Sequence, residues 1–243
     1  MIPTLNDEVR ESSTIHLIGG EKGGVGKSVV ARLIAQLLID RNIPFTGFDT
    51  DRSHGALMRF YADYASPVVI DRYEALDAIM ETAVEKAPGH RVLVDLAAQT
   101  HEPLTRWMDD SGVLDVADES GVVIRYWHVM DAGRDSVDLL QKLLDRFGRR
   151  LQYVLVLNQL RGNDFSQLEA SGQLARALEL GARVVKLRHL DDTVIRKIDA
   201  SNSSFWAARH APGGDGPKLG LLERQRLKLW LASAVAEIGA AGI

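Results

Sequence analysis

The sequence predicts an α/β protein built on a single doubly wound, mostly parallel sheet with helices on both faces. Three observations carry that expectation. Short apolar, β-branched runs alternate with longer helical patterns along the chain. The runs lack the in–out alternation of a sheet with one wet face, so each strand should be buried on both sides. Finally, 243 residues with 46% hydrophobic and 26% charged content can bury one substantial core, and no Pro/Ser-rich linker divides them.

In chain order, the expected strands are 14–18, 44–48, 67–70, 91–96, 122–128, 153–157 and 183–187, each an apolar run bounded by polar or turn residues. Helical patterns fall between them at 27–41, 72–86, 134–148 and 167–180, followed by 191–200 and 218–238. Residues 210–218 (HAPGGDGPK) are the Gly/Pro-rich break, expected as the loop before the last helix. Residues 1–13 read as an N-terminal extension and 14–243 as one domain.

Composition removes several function classes. There is no cysteine, which excludes disulfide frameworks, thiolate zinc sites, iron–sulfur clusters and cysteine nucleophiles. The apolar runs fall short of the ~20 residues that cross a bilayer. The N-terminal segment carries Asp7, Glu8, Arg10 and Glu11 and no apolar core of a secretory signal, so a cytoplasmic protein is expected. Seven histidines show no metal-ligand spacing. Charge is uneven. Residues 1–182 hold 19 Lys+Arg against 27 Asp+Glu, a net of −8, and residues 183–243 hold 10 against 6, a net of +4. A mildly basic tail on an acidic body could meet nucleic acid or an anionic membrane.

The most informative segment is Gly20-Glu21-Lys22-Gly23-Gly24-Val25-Gly26-Lys27-Ser28, between the first expected strand and an apolar helix that continues from Val29. That is the context of a P-loop. Glycines let backbone N–H groups converge on phosphate oxygens, and the helix N-terminus adds free N–H groups and partial positive charge. The expected nucleotide-binding set is Gly23, Gly24, Val25, Gly26, Lys27, Ser28 and Val29. Lys27 is expected at the β- and γ-phosphates, and the Ser28 hydroxyl on Mg²⁺. The strand Arg91-Val92-Leu93-Val94-Asp95 ends in a carboxylate suited to hold that Mg²⁺, directly or through water.

Lys22 is unusual, because an ordinary P-loop has only the lysine before Ser/Thr. With Lys-Gly-Gly-Val-Gly-Lys-Ser the sequence resembles the ParA/MinD family of deviant Walker A P-loop ATPases. The resemblance covers nearly the whole fold-bearing region, with its specific motifs at about 18–28, 48–51 and 91–95. It implies that Lys22 reaches across an ATP-dependent, nucleotide-sandwich homodimer to the partner's phosphates, as an arginine finger would. It also implies that Asp51 of Phe48-Asp49-Thr50-Asp51 positions the attacking water, with Asp49 nearer the metal. Related ATPases place an Asn at the end of a late strand against adenine, which maps to Asn158. No Lys-x-Asp follows Asn158, so ATP is favoured over GTP.

Two stretches depart from the family pattern: Arg52-Ser53-His54-Gly55 replaces the usual Pro-Gln, and Leu96-Ala97-Ala98-Gln99-Thr100 forms an atypical second switch. In the tail, residues 190–199 and 205–208 look similar to ParA-like ATPases encoded with plasmid mobilisation genes. Leu227, Trp230, Leu231, Val235 and Ile238 fit a core-docked helix face better than a membrane anchor. Asp131-Ala132-Gly133 fits simple helix capping.

The function implied is an ATPase whose ATP-driven dimerisation positions a cargo such as plasmid DNA or a protein complex. Slow hydrolysis stimulated by an unidentified protein partner, and non-specific DNA contact through the basic C-terminal region, complete that expectation. The alternatives are an ATP-dependent metabolic ligase or synthetase on the same fold, and a nucleotide-binding adaptor without turnover.

Overall fold

All seven expected strands form, and they join one sheet. The structure, a computed structural model, describes residues 12–20, 22–51, 55–86, 88–210 and 217–243. Most of the expected N-terminal extension, Glu21, Arg52-Ser53-His54 and residues 211–216 of the expected 210–218 loop lie outside the described residues. The strands are β1 (Thr14–Gly19), β2 (Phe45–Asp49), β3 (Ala65–Pro67), β4 (Arg91–Asp95), β5 (Val123–Met130), β6 (Gln152–Asn158) and β7 (Arg183–Leu187). Their order is β3-β2-β4-β1-β5-β6-β7, and every pair is parallel. β2, β3 and β4 fall on one side of β1, with β4 inserted between β1 and β2, and β5 to β7 follow on the other side, so the end of β1 is the switch point where such sheets place ligands.

The third strand is shorter and earlier than expected. Its last pair is Asp49↔Pro67, after which the Val68 amide donates to the Asp49 carbonyl at 2.9 Å. β2 ends at Asp49, so residues 68–70 have no strand to continue along. Pro67 is tolerated because β3 is an edge.

Among the described residues, eleven α-helices lie between or after these strands, in pairs or singly. They are α1 (Lys27–Asp40), α2 (Ala56–Phe60), α3 (Tyr73–Glu85), α4 (His101–Asp110), α5 (Val113–Ser120), α6 (Arg134–Phe147), α7 (Ser166–Ala170), α8 (Gln173–Glu179), α9 (Asp192–Ala200), α10 (Phe205–His210) and α11 (Leu221–Ala240). The expected helix 167–180 is broken into α7 and α8 by Gly172 at φ +74°. Short helices α2, α4, α5 and α10 were not expected.

Side chains alternate along each strand between two separate cores, as burial on both faces requires. Ile15, Leu17, Val92, Val94, Ile124 and Tyr126 pack on the face that buries residues of α3 to α8. Ile18, Leu93, Trp127, Val129, Val156 and Val185 pack against α1, α2, α9, α10 and α11. α11 docks through Leu227, Trp230, Leu231, Ala234 and Ile238, which are all buried. No described helix is long and apolar enough to cross a membrane.

Polar groups fix the second face. Arg32 of α1 is almost wholly buried, donates to Asp199 at 2.8 Å, and lies over the rings of Phe60 (3.7 Å) and Phe205 (4.5 Å). Its Nε and Nη2 have no hydrogen-bond partner. Burial lowers its pKa, against the opposing pull of Asp199. Within the sheet, Trp127 Nε1 donates to His16 Nδ1 at 3.1 Å, which makes Nδ1 an acceptor and His16 neutral. Burial, then the charges of Arg125 and Arg91, push the His16 pKa well down. His128, bonded through Nε2 to the Ser136 carbonyl at 3.0 Å, is pushed down to about 4, chiefly by burial.

These histidines give acid sensitivity a definite sign. Each binds a proton more readily in the unfolded chain, near the ordinary 6.5, than in the folded one. Their contribution is therefore complete above that value and is lost as pH falls toward about 4, the folded His128 value. Asp95, with its pKa raised to about 7, acts in the opposite direction over the same range, so the histidine contribution is read by difference. In urea unfolding, the change in stability from pH 7.5 to pH 5 should be less unfavourable in His128→Gln than in the unaltered chain.

Candidate functional site

The loop that follows β1 is shaped by what surrounds it. A Cβ on Gly20 (φ +136°) would lie 2.3 Å from the Val129 carbonyl oxygen, so only glycine lets the chain leave β1 against β5. Gly26, at φ +98°, is the N-cap of α1, and a Cβ there would meet Asn158 Nδ2 at 2.2 Å. Gly23 instead faces open space. The first turn of α1 has no side-chain cap and no acidic residue, leaving its N–H groups to an anion.

A cleft of about 290 Å³ opens beside this loop, lined by Gly23, Gly24, Gly26, Lys27, Ser28, Val29, Asp51, Asp95 and Leu96 to Ala98. Three segments distant in sequence thus meet as expected. Lys27 is buried and donates to the Lys22 carbonyl at 3.2 Å. Val25 points into the second core instead and anchors the loop.

Register brings two carboxylates together at the sheet edge. Asp49 and Asp95 end adjacent parallel strands as direct partners, and both are buried. Ser28 lies close enough to Asp95 to favour its ionised form, while Asp95 Oδ1 is buried with no hydrogen-bond partner among the described residues. Its pKa is pushed up to about 7, first by burial and then by the Asp49 charge, against the opposing effects of Ser28 and Lys27. Burial likewise raises Asp49, although its Oδ1 accepts the Asp51 amide at 3.0 Å and its Oδ2 the Met58 amide at 3.1 Å. Asp49 thereby holds the start of α2, and Asp51 stands half-buried at the cleft.

The donor set suits Mg²⁺. A hydroxyl and a carboxylate with an orphaned buried oxygen, next to a phosphate cradle, match an ion that takes few protein ligands and completes its shell with water and phosphate. Among the described residues no group of three or more His, Asp and Glu is placed to hold a metal by itself.

Three residues matter more than sequence reasoning gave them credit for. Thr50 ties the two acidic segments together: its hydroxyl donates to the Asp95 carbonyl at 3.2 Å and accepts the Ala97 amide at 2.8 Å. Asn158 is buried, donates to the Val25 carbonyl at 2.7 Å, and accepts the Leu160 amide at 3.2 Å, so its amide group braces the loop from beneath. Asp131, beyond the end of β5, does not cap α6 as expected: the N-cap is Gly133, with no side-chain cap, and Asp131 instead accepts the Gly133 amide (3.1 Å) and the Ser136 hydroxyl (2.8 Å) just ahead of and within the first turn. It also forms an ion pair with Lys22 at 3.0 Å. Burial works to raise the Asp131 pKa, but the hydrogen bonds from Lys22, Ser136 and Gly133 prevail and hold it low. Only the doublet Asp-Thr-Asp hinted at Thr50, and nothing local marked the other two contacts.

Comparison with known proteins gives one curated relative to set beside this geometry. The protein MobD of Acidithiobacillus ferrooxidans is 26% identical over 211 residues, covering 86% of this chain and 92% of MobD. No family model matches the sequence. Similar solved structures include one named as a plasmid partition protein of Borrelia burgdorferi B31 bound to AMPPNP. It is 14% identical, with a TM-score of 0.48, over 91% of this chain and 98% of that one. The cell division ATPase MinD of Pyrococcus furiosus is 17% identical, with a TM-score of 0.43, over 89% and 98%.

The bracing role of Asn158 can be separated from contact with a base. Asn158→Ala leaves the Val25 carbonyl without its donor and should weaken phosphate binding about tenfold. A brace predicts equal losses for ATP and for inorganic triphosphate in titration calorimetry. A base contact predicts a loss for ATP alone.

Proposed function

We propose that the chain is a ParA/MinD-type ATPase that binds Mg-ATP, pairs with a second copy across the bound nucleotides, and hydrolyses ATP to position a cargo such as plasmid DNA or a protein complex. The observation that supports this most is the meeting, in one cleft, of a glycine-rich loop bearing Lys22 and Lys27 with Ser28 and the buried Asp95.

In this reading the loop amides and the N-terminus of α1 bind the phosphates. Lys27 exchanges the Lys22 carbonyl for the β- and γ-phosphate oxygens. Ser28 and Asp95 hold Mg²⁺, and Asp49 lies behind them, kept in place by backbone amides. When bound, Mg²⁺ neutralises charge that develops on the phosphates. Asp51 orients the attacking water at the cleft. ATP is proposed over GTP because no Lys-x-Asp follows Asn158. A cytoplasmic location, a stimulating protein partner and non-specific DNA contact through residues 183–243 belong to the same proposal. The net charge of +4 in that segment supports the last.

Lys22 carries the dimer step. Within one chain it is paired to Asp131, so reaching a partner's phosphates requires that this ion pair open. Size-exclusion chromatography with ATP, ADP and no nucleotide tests the cycle. The expected result is a dimer with ATP only, persisting in Asp51→Ala and weakened in Lys22→Ala. A monomer under every condition would overturn the reading. Asp131→Asn releases Lys22 while keeping an oxygen for the Gly133 amide and the Ser136 hydroxyl, and should lower the ATP concentration at which half the protein is dimeric. An unchanged midpoint would show that the Lys22–Asp131 pair does not restrain assembly.

A further inference from the structure

On the face opposite the α3–α8 layer, a second cleft of about 340 Å³ lies between the end of α1, the end of α2 and the start of α10. It shares no lining residue with the phosphate cleft. Its walls are aromatic and its charges are all negative: Tyr61, Tyr64 and Trp206 stand beside Asp40 and Asp63, with no Lys, Arg or His in the lining.

Two of the rings are presented outward. Trp206 is 53% exposed and Tyr64 42%. Tyr64 stacks on Phe45 at 5.0 Å with the planes 5° apart, which covers one ring face and leaves the other to the cleft side. Neither carboxylate forms an ion pair among the described residues. Asp40 accepts only the Gln36 amide at 2.8 Å, and Gln36 is itself fixed by the Tyr61 hydroxyl at 3.2 Å. Aromatic faces next to carboxylates attract a planar cation, and a guanidinium gains from both more than an ammonium does. The two carboxylates disfavour a phosphate group in this first cleft.

The surroundings favour a peptide over a free small cation. Trp206, Gln36 and Asp40 also border a neighbouring cleft of about 260 Å³, whose further wall holds Leu231, Ala232 and Val235 together with Arg209 and with His210, whose ring lies 4.8 Å from that of Trp206. An extended segment can place an arginine in the first cleft and an apolar side chain in the second.

We propose that these paired clefts are a docking site for a partner protein segment bearing an arginine next to an apolar residue. This site goes beyond the nucleotide reading and does not depend on it. Its position has a consequence for α2: the helix that ends at the cleft is held at its other end by Asp49.

The test uses the full chain with ¹⁵N-labelled tryptophan, whose indole signal for Trp206 is identified by its loss in Trp206→Phe. The probe is the peptide acetyl-Leu-Arg-Leu-Leu-amide, with the citrulline version and agmatine as comparators. The peptide is expected to shift the Trp206 signal saturably at about millimolar concentration or below. Asp40→Asn/Asp63→Asn should weaken it at least about fivefold. The citrulline peptide should be weaker by a similar factor, and so should agmatine. Retention of the other three indole signals at their positions shows that the double variant is folded. No Trp206 shift up to about 5 mM peptide, an effect that survives the double variant, or equal binding of the citrulline peptide overturns the proposal. Agmatine binding as tightly as the peptide overturns its peptide part and makes the site one for free guanidines.

Discussion

Two parallel strands end in carboxylates at the same level, Asp49 on β2 and Asp95 on β4, inside the protein. Burial away from water disfavours the ionised form and raises the pKa of both carboxyl groups, and the Asp49 charge raises that of Asp95 further. Much of the site is arranged around that constraint. Two backbone amides satisfy Asp49, and Thr50 locks its loop to the end of β4. Ser28 and Lys27 bring a hydroxyl and a cation toward Asp95. The oxygen left over is the feature that makes the cleft chemically unfinished. A protein selected only for stability would place an amide or an apolar residue there, so the arrangement is a mark of function.

Much of this was legible in the sequence because its determinants are local. An apolar run between turn residues declares a buried strand, and a strand, a glycine-rich loop and an apolar helix in succession declare a phosphate cradle. The same locality explains the failures. α2 is only five residues long and has no periodicity to read. α4 contains Pro103, which looks like a breaker, but lies in the first turn, where a missing N–H removes no helical bond. Gly172 was read through because the apolar pattern continues on both sides of it.

Contacts between distant segments were the other loss. Asn158 lies 133 positions from the carbonyl it braces. Asp131 stood out only as a residue near a helix start, and its partner Lys22 as an extra lysine, yet nothing in either neighbourhood joins the two. Such pairings arise from strand order: β5 is the neighbour of β1, which puts the loop after one beside the loop after the other. Sequence can propose which residues are chemically equipped, whereas the topology decides which of them meet.

The buried Arg32 has a consequence for aim. Its guanidinium is held by Asp199 and by the rings of Phe60 and Phe205, contributed by α9, α2 and α10. If α1 rolled about its own axis, that charge would move into apolar surroundings without its carboxylate, a penalty of several kcal/mol. The first turn of the same helix is the floor of the phosphate loop. The bearing of those N–H groups is thus set partly by a cation more than a turn farther along, much as a gun barrel is trained from its breech.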